Sequence, residues 1–478
     1  MAVIIDFHIN NFTALSVVGV LQYAFLHLAL CPILKSGNYL KIYRNFFLFK
    51  EVYFLHMVLQ KKIILYLFAL ALVAGPGKAA ADDFKLIPSI GIKGEYNDNI
   101  FFDDGNEEED FITTISPGLK LSNRTERLNA GLSARFDGIS YFDNNDLNAI
   151  DQDYKGNLDY QLTPKTGVTA DAGYKKDSRR DRDIEVIDEG TATGLIQGDE
   201  TRIRYNGGFS FNSMLTETTA VNCSYSFAKD DFDNREDNDI RMQNVNLGFT
   251  HNLTFIDELT VGRLNFGYGR YDYLDGEITR SFLTIIDNTR IDYYSATIGV
   301  SRNVSEVFSI LADIGGSYTK SKYETSYEYD QPFSVYDSTQ KENNSGTGMV
   351  ARITTSYNGE LTSGSLNFSH DVRASSGTSG ATERTSIELN ISRRFTYELS
   401  GRISTEYYLN KADDGDYSAR GTDETTWRIR PSIRYNFTND LFMEASYYFT
   451  KNKDREDHTD TRRNQFFIKI SMDYPLFE

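Results

Sequence analysis

The sequence predicts an all-β chain: a transmembrane antiparallel up-and-down β-barrel of about 18 strands, with 16 as the alternative count. Three observations carry this. Period-two alternation of apolar and polar residues runs almost unbroken from Asp82 onward. The alternating segments are roughly ten to fourteen residues long, against about five or six in soluble sheets, a length that suits a tilted crossing of the hydrocarbon layer. Short turns also alternate strictly with long polar loops, which is the plan of outer-membrane barrels.

The alternation is plain in individual segments. Leu128, Ala130, Leu132, Ala134 and Phe136 alternate with Arg127, Asn129, Gly131, Ser133 and Arg135. Ile203, Tyr205, Gly207, Phe209 and Phe211 alternate with Arg202, Arg204, Asn206, Gly208 and Ser210. Trp427, Ile429, Pro431, Ile433 and Tyr435 alternate with Arg428, Arg430, Ser432 and Arg434. Each segment therefore has one apolar and one polar face. The polar faces carry many charges, which a wet lumen tolerates and a packed core does not. Strand starts fall near Leu86, Phe111, Arg127, Asp151, Gly167, Thr201, Thr218, Ile240, Leu259, Thr289, Val307, Gly346, Ser365, Arg384, Ser400, Glu424, Leu441 and Arg463. The parity changes near Arg263, between Val261 and Leu264, which reads as a bulge or a displaced turn.

The connections divide into two kinds. Short turns are expected at Asn123–Glu126, Thr163–Thr166, Phe255–Glu258, Asn303–Glu306, Asn358–Thr362 and Asn436–Asn439. Long acidic or Gly/Ser-rich loops are expected at Asn97–Glu109, Arg179–Gln197, Glu324–Asn343 and Ala412–Gly421. The acidic runs Asp103–Asp110 and Asp230–Asp233 read as solvated loop segments.

Composition agrees. Tyr and Phe number 31 and 32, with 35 Gly, 8 Pro and the single Trp427, a mixture that suits strands and tight turns. A net charge of −18 excludes nucleic acid as a partner.

The first eighty residues differ from the rest. Lys61 and Lys62, the apolar run Ile63–Val73 and the small residues Ala79–Ala81 read as a signal peptide over 57–81, with cleavage after Ala81. The apolar run Phe12–Leu34 is long enough for a membrane helix, yet such an anchor would hold the chain back from the outer membrane. Residues 1–56 therefore read as a non-native extension and Met57 as the initiator, leaving 82–478 as the barrel. Cys31 falls in the removed part, so Cys223 stands as a small hydrophobe without assigned chemistry.

The first hairpin reads Glu95-Tyr96-Asn97-Asp98-Asn99-Ile100-Phe101-Phe102, then Asp110-Phe111-Ile112-Thr113-Thr114-Ile115-Ser116-Pro117-Gly118-Leu119. It resembles the outer-membrane β-barrel porin families associated with bacterial exopolysaccharide and capsule loci, over about 25 residues and in the closing Asp473-Tyr474-Pro475-Leu476-Phe477. The resemblance implies the cell outer membrane of a Gram-negative organism and a role in polysaccharide secretion. It implies outer-membrane lipid and lipopolysaccharide, the barrel assembly machinery, and polysaccharide or its export components as partners.

No enzyme chemistry is expected. His251, His370 and His458 are dispersed, and neighbours such as Ser369 and His370 point to opposite faces of a strand. Gly267-Tyr268-Gly269 lacks the remainder of a dinucleotide loop and reads as strand. Asp413-Asp414-Gly415-Asp416 lacks EF-hand spacing. No cofactor or metal is expected. Candidate lumen-lining residues are Arg202, Arg204, Arg402, Glu406, Arg428, Arg430, Arg434 and Lys469, with Glu388, Glu444, Asp371 and Asp473 on the same faces. They fit either mutual pairing that braces the wall or a selectivity lining. Tyr408 and Tyr448 fit a sugar-stacking path. The expected function is a passive porin-like channel, with a structural or polymer-binding barrel as the alternative.

Overall fold

The computed structural model describes residues 83–178, 201–233, 239–280, 283–329, 337–374, 381–412, 421–456 and 458–476. The signal segment 57–81, the extension before it, the Arg179–Gln197 loop, the Asp413–Asp416 run and Phe477 lie outside the described residues.

Eighteen strands follow one another among the described residues: β1 (Asp83–Asn97), β2 (Asp110–Arg124), β3 (Leu128–Tyr141), β4 (Ala149–Thr163), β5 (Thr166–Asp177) and β6 (Arg202–Met214). Next come β7 (Thr219–Phe232), β8 (Asp239–Asn252), β9 (Thr260–Arg280), β10 (Leu283–Asn303), β11 (Phe308–Tyr329) and β12 (Ser338–Asn358). The last six are β13 (Thr362–Ala374), β14 (Ala381–Arg394), β15 (Leu399–Ala412), β16 (Thr422–Asn436), β17 (Leu441–Asp454) and β18 (Thr459–Asp473). Each pairs antiparallel with its sequence neighbours, and β1 pairs with β18 from Ser89↔Asp473 to Asn97↔Gln465. The sheet closes on itself, and the alternative count of 16 falls.

One expectation is settled and one is corrected. Of the two readings at Arg263 the displaced turn holds and the bulge does not: Leu259 belongs to the preceding turn, and β9 stays in register with β8 from Val261 onward, with Val261 facing inward beside Arg263. The shift in this part of the wall lies between Asp287 and Thr289 of β10. The stretch Glu324–Asn343 is also largely strand, with β11 and β12 paired out to Tyr327↔Ser338. Its Tyr, Thr and Ser residues suit a sheet but are polar on both faces, so apolar alternation does not mark them. For the same reason β12 begins at Ser338 rather than near Gly346, whereas β10 begins at Leu283 rather than near Thr289 because the adjacent Ile285 and Ile286 break the alternation.

The short turns share a local device. In five of them the first backbone N–H of the returning strand donates to a Ser or Thr hydroxyl three residues earlier: Leu128 to Thr125, Thr219 to Thr216, Phe308 to Ser305, Leu399 to Thr396 and Leu441 to Thr438, at 3.0–3.1 Å. A hydroxyl there satisfies a backbone donor that the turn takes out of the ladder.

The two faces separate cleanly. Large apolar residues such as Leu132, Phe209, Val245, Ile298, Ile353, Ile387 and Ile433 are exposed on the outer face, and Cys223 lies on it too. Aromatic residues gather towards both ends of this band. Towards the loops, the rings of Tyr154, Tyr174 and Tyr205 meet in succession, tilted or edge-on, as do those of Tyr268, Tyr294 and Tyr318. Towards the turns, Tyr357, Tyr397, Tyr435 and Phe437 are exposed. On β16, Trp427 and Tyr435 are about 26 Å apart along the strand at roughly 3.3 Å per residue, which tilt shortens towards the thickness of a membrane core.

Ile433 is 57% exposed on the outer face, between those two aromatics. Ile433→Arg should cost about 1–3 kcal/mol in reversible folding into lipid vesicles, between the values for the midplane and the interface. Arg402→Gln, on the inner face of the adjoining strand, should cost well under half of that. Equal losses would contradict the assignment of faces.

Candidate functional site

The inner face changes character along the barrel axis. Near the loops, inward side chains are buried on most strands of the wall, though not on β12 and β13: Glu95, Thr114, Asp151, Asp177, Arg202, Asp230, Met242, Tyr271, Ile291, Thr319, Arg384, Glu406, Arg428, Thr450 and Arg463. Nearer the turns, Lys120, Arg135, Lys155, Asn157, Asn206, Asn212, Asn222, Asn246 and Arg402 face solvent or stand largely in it. A cavity of about 820 Å³ lies against β3–β9 at the turn end, and one of about 490 Å³ against β13–β17.

The loop-end layer is held by charge pairs. Arg204 donates through Nε and Nη2 to both oxygens of Asp230, at 2.6 and 2.5 Å. Arg202 donates to Asp177 at 2.9 Å. Asp230 is wholly buried, and Asp110 accepts the backbone N–H groups of Phe142, Asp143 and Asn144 at 3.0–3.1 Å. The expectation that both acidic runs are solvated throughout is therefore corrected: their strand-end members are structural, because a buried carboxylate needs donors and these positions supply them. Asp103–Glu109 are exposed, Asp103 to Glu109 being loop.

Glu406 is the hub of the opposite wall. It pairs with Arg428 at 2.5 Å and accepts from Arg430 at 3.1 Å and from the Tyr408 hydroxyl at 2.9 Å. The guanidinium carbons of Arg428 and Arg384 stand 4.9 and 5.4 Å from the Tyr408 ring centre, within cation–π range. Tyr408 is thus enclosed between cations and is no open stacking platform for a sugar. Tyr448 carries Arg430 at 5.4 Å and meets Phe467 edge-on.

A second element closes this layer. Ile240, Met242, Tyr271, Tyr273, Ile291 and Tyr293 of β8–β10 form an apolar cluster with Val372 of β13 and Ala381 of β14. These strands are not neighbours in the wall. The β12–β13 ladder runs only from Asn358↔Ser363 to Ala351↔His370, while β12 pairs with β11 far beyond it. The wall thus parts above His370, and the upper β13–β14 hairpin packs against the inner face of β8–β10.

The first loop completes the seam. Asp98 accepts the backbone N–H and the side-chain amide of Asn464, both at 2.6 Å, joining the loop to β18. Asn99 is fully buried and donates to the carbonyls of Asp103 and Arg462 at 2.9 and 3.1 Å. Ile100 packs with Ile112 and Ile139, and Phe102, at a φ of 53°, lies 5.4 Å from the Arg463 guanidinium. The Tyr-Asn-Asp-Asn element thus folds the loop inward and fastens it.

The eight candidate residues divide accordingly. Arg202, Arg204, Glu406 and Arg428 belong to the buried layer, with Arg430 at its lower edge on Glu406. Arg402, Arg434 and Lys469 lie nearer the turns, and Arg402 and Arg434 line the smaller cavity with Glu444. Arg434 donates to Asn436 at 2.9 Å and lies over Phe442. The amides on β6–β8 were missed, because Asn206 and Asn212 on β6, Asn222 on β7 and Asn244 and Asn246 on β8 read as ordinary polar-face residues of alternating strands. Their signal is that they recur at polar-face positions on consecutive strands. Ser369 bonds Ser386 at 2.7 Å, whereas His370 bonds Thr385 and pairs with Glu383, each at 2.8–2.9 Å, so the two do not meet.

A closed 18-stranded wall with an apolar outer band and a polar interior can cross lipid, since no backbone edge is left to solvate. Residues 79–193 match the family model described as "Putative beta-barrel porin 2". This is an outer-membrane β-barrel. The barrel is similar to OpdK of Pseudomonas aeruginosa crystallised with vanillate, at 11% identity and TM-score 0.40, over 82% of this chain and 98% of that one. It is similar to OccK2 (OpdF) of Pseudomonas aeruginosa at 12% identity and TM-score 0.40, over 83% and 99%. With the ferric-catecholate import receptor Fiu of E. coli K12 it shares 8% identity at TM-score 0.44, over 82% and 82%. The chain matches no curated protein.

Glu406→Ala would leave two guanidinium groups without their shared carboxylate in the buried layer. The barrel should lose about 3–5 kcal/mol in the same folding measurement, the usual result of breaking a buried pair from one side. A loss below about 1 kcal/mol, typical of an exposed pair, would contradict the network.

Proposed function

We propose that the protein is a passive outer-membrane channel whose water-filled lumen widens at the turn end and narrows to the charged, aromatic layer at the loop end. One observation supports this most: amide and cationic side chains on membrane-crossing strands face solvent inside the wall, at Asn206, Asn222, Asn246 and Arg402. Such groups in a barrel of this size imply water within it. The resemblance of the first hairpin to porins of exopolysaccharide loci supports glycans or their precursors as cargo.

Selectivity in this reading belongs to the charges that reach water. Arg402, Arg434 and Lys469 act on passing ions, whereas Arg428 and Arg430 share the charge of Glu406 and present a weaker field. The buried loop-end layer favours one competing reading, a structural or polymer-binding barrel with no conducting path.

Planar-bilayer recording distinguishes them. Wild-type protein should conduct, and replacing Arg402, Arg434 and Lys469 together by Gln should move the reversal potential towards cation preference. The same change at Arg428 alone should move it less. Absence of conductance in the wild type would favour the structural barrel. Conductance with an unmoved reversal potential would remove these three residues from the lining.

A further inference from the structure

The inner wall is two-sided. On β6–β10, between Arg204 near the loops and Arg263 near the turns, no residue carries an inward charge among the described residues, and carboxylates reach this face only at its edges, Asp171 of β5 over Gly208 and Asp313 of β11 over Gly299. The inward positions are Asn206, Gly208, Ser210 and Asn212 on β6, then Asn222, Ser224 and Ser226 on β7. On β8 they are Asn244, Asn246, Gly248 and Thr250. β9 and β10 continue with Asn265, Gly267, Gly269, Ser295, Thr297 and Gly299. In a ring of 18, the strand opposite β8 is β17, the middle of the arginine- and glutamate-bearing wall.

The two sides use their polar groups differently. The charged side is largely paired with itself, as Glu406 is with Arg428, Arg430 and Tyr408. On the neutral side, the amides of Asn206, Asn212, Asn222 and Asn246 are exposed and have no hydrogen-bond partner among the described residues. Glycines on adjoining strands keep the surface low: a Cβ at Gly248 would stand 2.5 Å from the Asn222 oxygen, so that amide lies across the glycine. Asn206 lies over Gly173 in the same way. The larger cavity touches this side through Asn212, Asn222, Gly248, Thr250 and Asn265.

We infer that β6–β10 form a hydrogen-bonding track for uncharged, hydroxyl-rich solutes, separate from the charged wall that acts on ions. The chemistry follows from the groups. A carboxamide offers an acceptor oxygen and two N–H donors side by side, and a pair of neighbouring hydroxyls offers the complement. Neutral amides attract such a solute without the desolvation cost that a fixed charge imposes, and a row of equal weak sites lets it move on. The inference rests on the channel reading and adds the solute's neutrality and its path along the wall.

Uptake of maltotriose by proteoliposomes tests it, with potassium chloride conductance measured on the same preparations. The triple variant Asn206→Leu, Asn222→Leu, Asn246→Leu keeps side-chain size and removes the amides. Its maltotriose uptake should fall roughly tenfold, the worth of one or two ordinary hydrogen bonds, with the reversal potential unmoved. The corresponding triple Asn→Ser variant, which retains donors and acceptors and guards against a folding defect, should keep most of the uptake. In the wild type, maltotriose should also reduce the ionic current in a saturable way. Wild-type conductance without maltotriose uptake, or a leucine variant that conducts and takes up maltotriose at the wild-type rate, would overturn the track alone. No wild-type conductance would overturn the channel reading and the track with it.

Discussion

A strand that crosses hydrocarbon must find a partner for every backbone N–H and C=O within the protein, and a sheet can do this only by closing. Here closure depends on the pairing of β1 with β18. The first loop secures that seam through Asp98 and Asn99, which bond Asn464 and the carbonyl of Arg462. Once the ladder closes, side chains can only alternate between lipid and lumen, and a slip of one residue would exchange the two faces. The outer band, the aromatic girdles and the polar lumen all follow from that.

Within the lumen a second division follows from burial. At the loop end, charges such as Asp230, Glu406 and Arg428 are shielded from water and persist because each has an ionic or hydrogen-bonding partner. The β13–β14 hairpin adds an apolar contact to β8–β10 where the β12–β13 ladder stops. At the turn end, amides and cations stay in water. The proposed channel thus has a wide hydrated half and a narrow, firmly braced half, and its lateral asymmetry places neutral amides opposite paired charges.

Much of this was legible in the sequence, because the barrel constrains it residue by residue. Ile429 and Ile433 against Arg430 and Arg434 declare the faces of β16 without any tertiary information. The turn hydroxyls, as in Thr438-Asn439-Asp440-Leu441, were equally readable but were passed over. What alternation does not carry is height and contact across the lumen. Nothing local separates buried Arg428 from half-buried Arg434, since both alternate with apolar neighbours and only the distance to Glu406 distinguishes them. The inward lean of the upper β13–β14 hairpin is likewise invisible: Val372 reads as one more apolar strand residue. The upper parts of β11 and β12 read as loop in the sequence because a strand above the membrane needs no apolar face.

Thiol accessibility along β8 reports whether one face meets lipid while the other meets water at the turn end and packing at the loop end. In a Cys223→Ser background, cysteine is placed at Met242, Val245 or Asn246 and exposed to a charged, water-soluble maleimide in intact outer membranes permeable to it. Labelling should be rapid at Asn246 and slight at Val245, which faces lipid, and at Met242, which lies in the loop-end cluster. Rapid labelling at Val245 with protection at Asn246 would contradict the faces, and equal labelling at Met242 and Asn246 would contradict the closed loop-end layer.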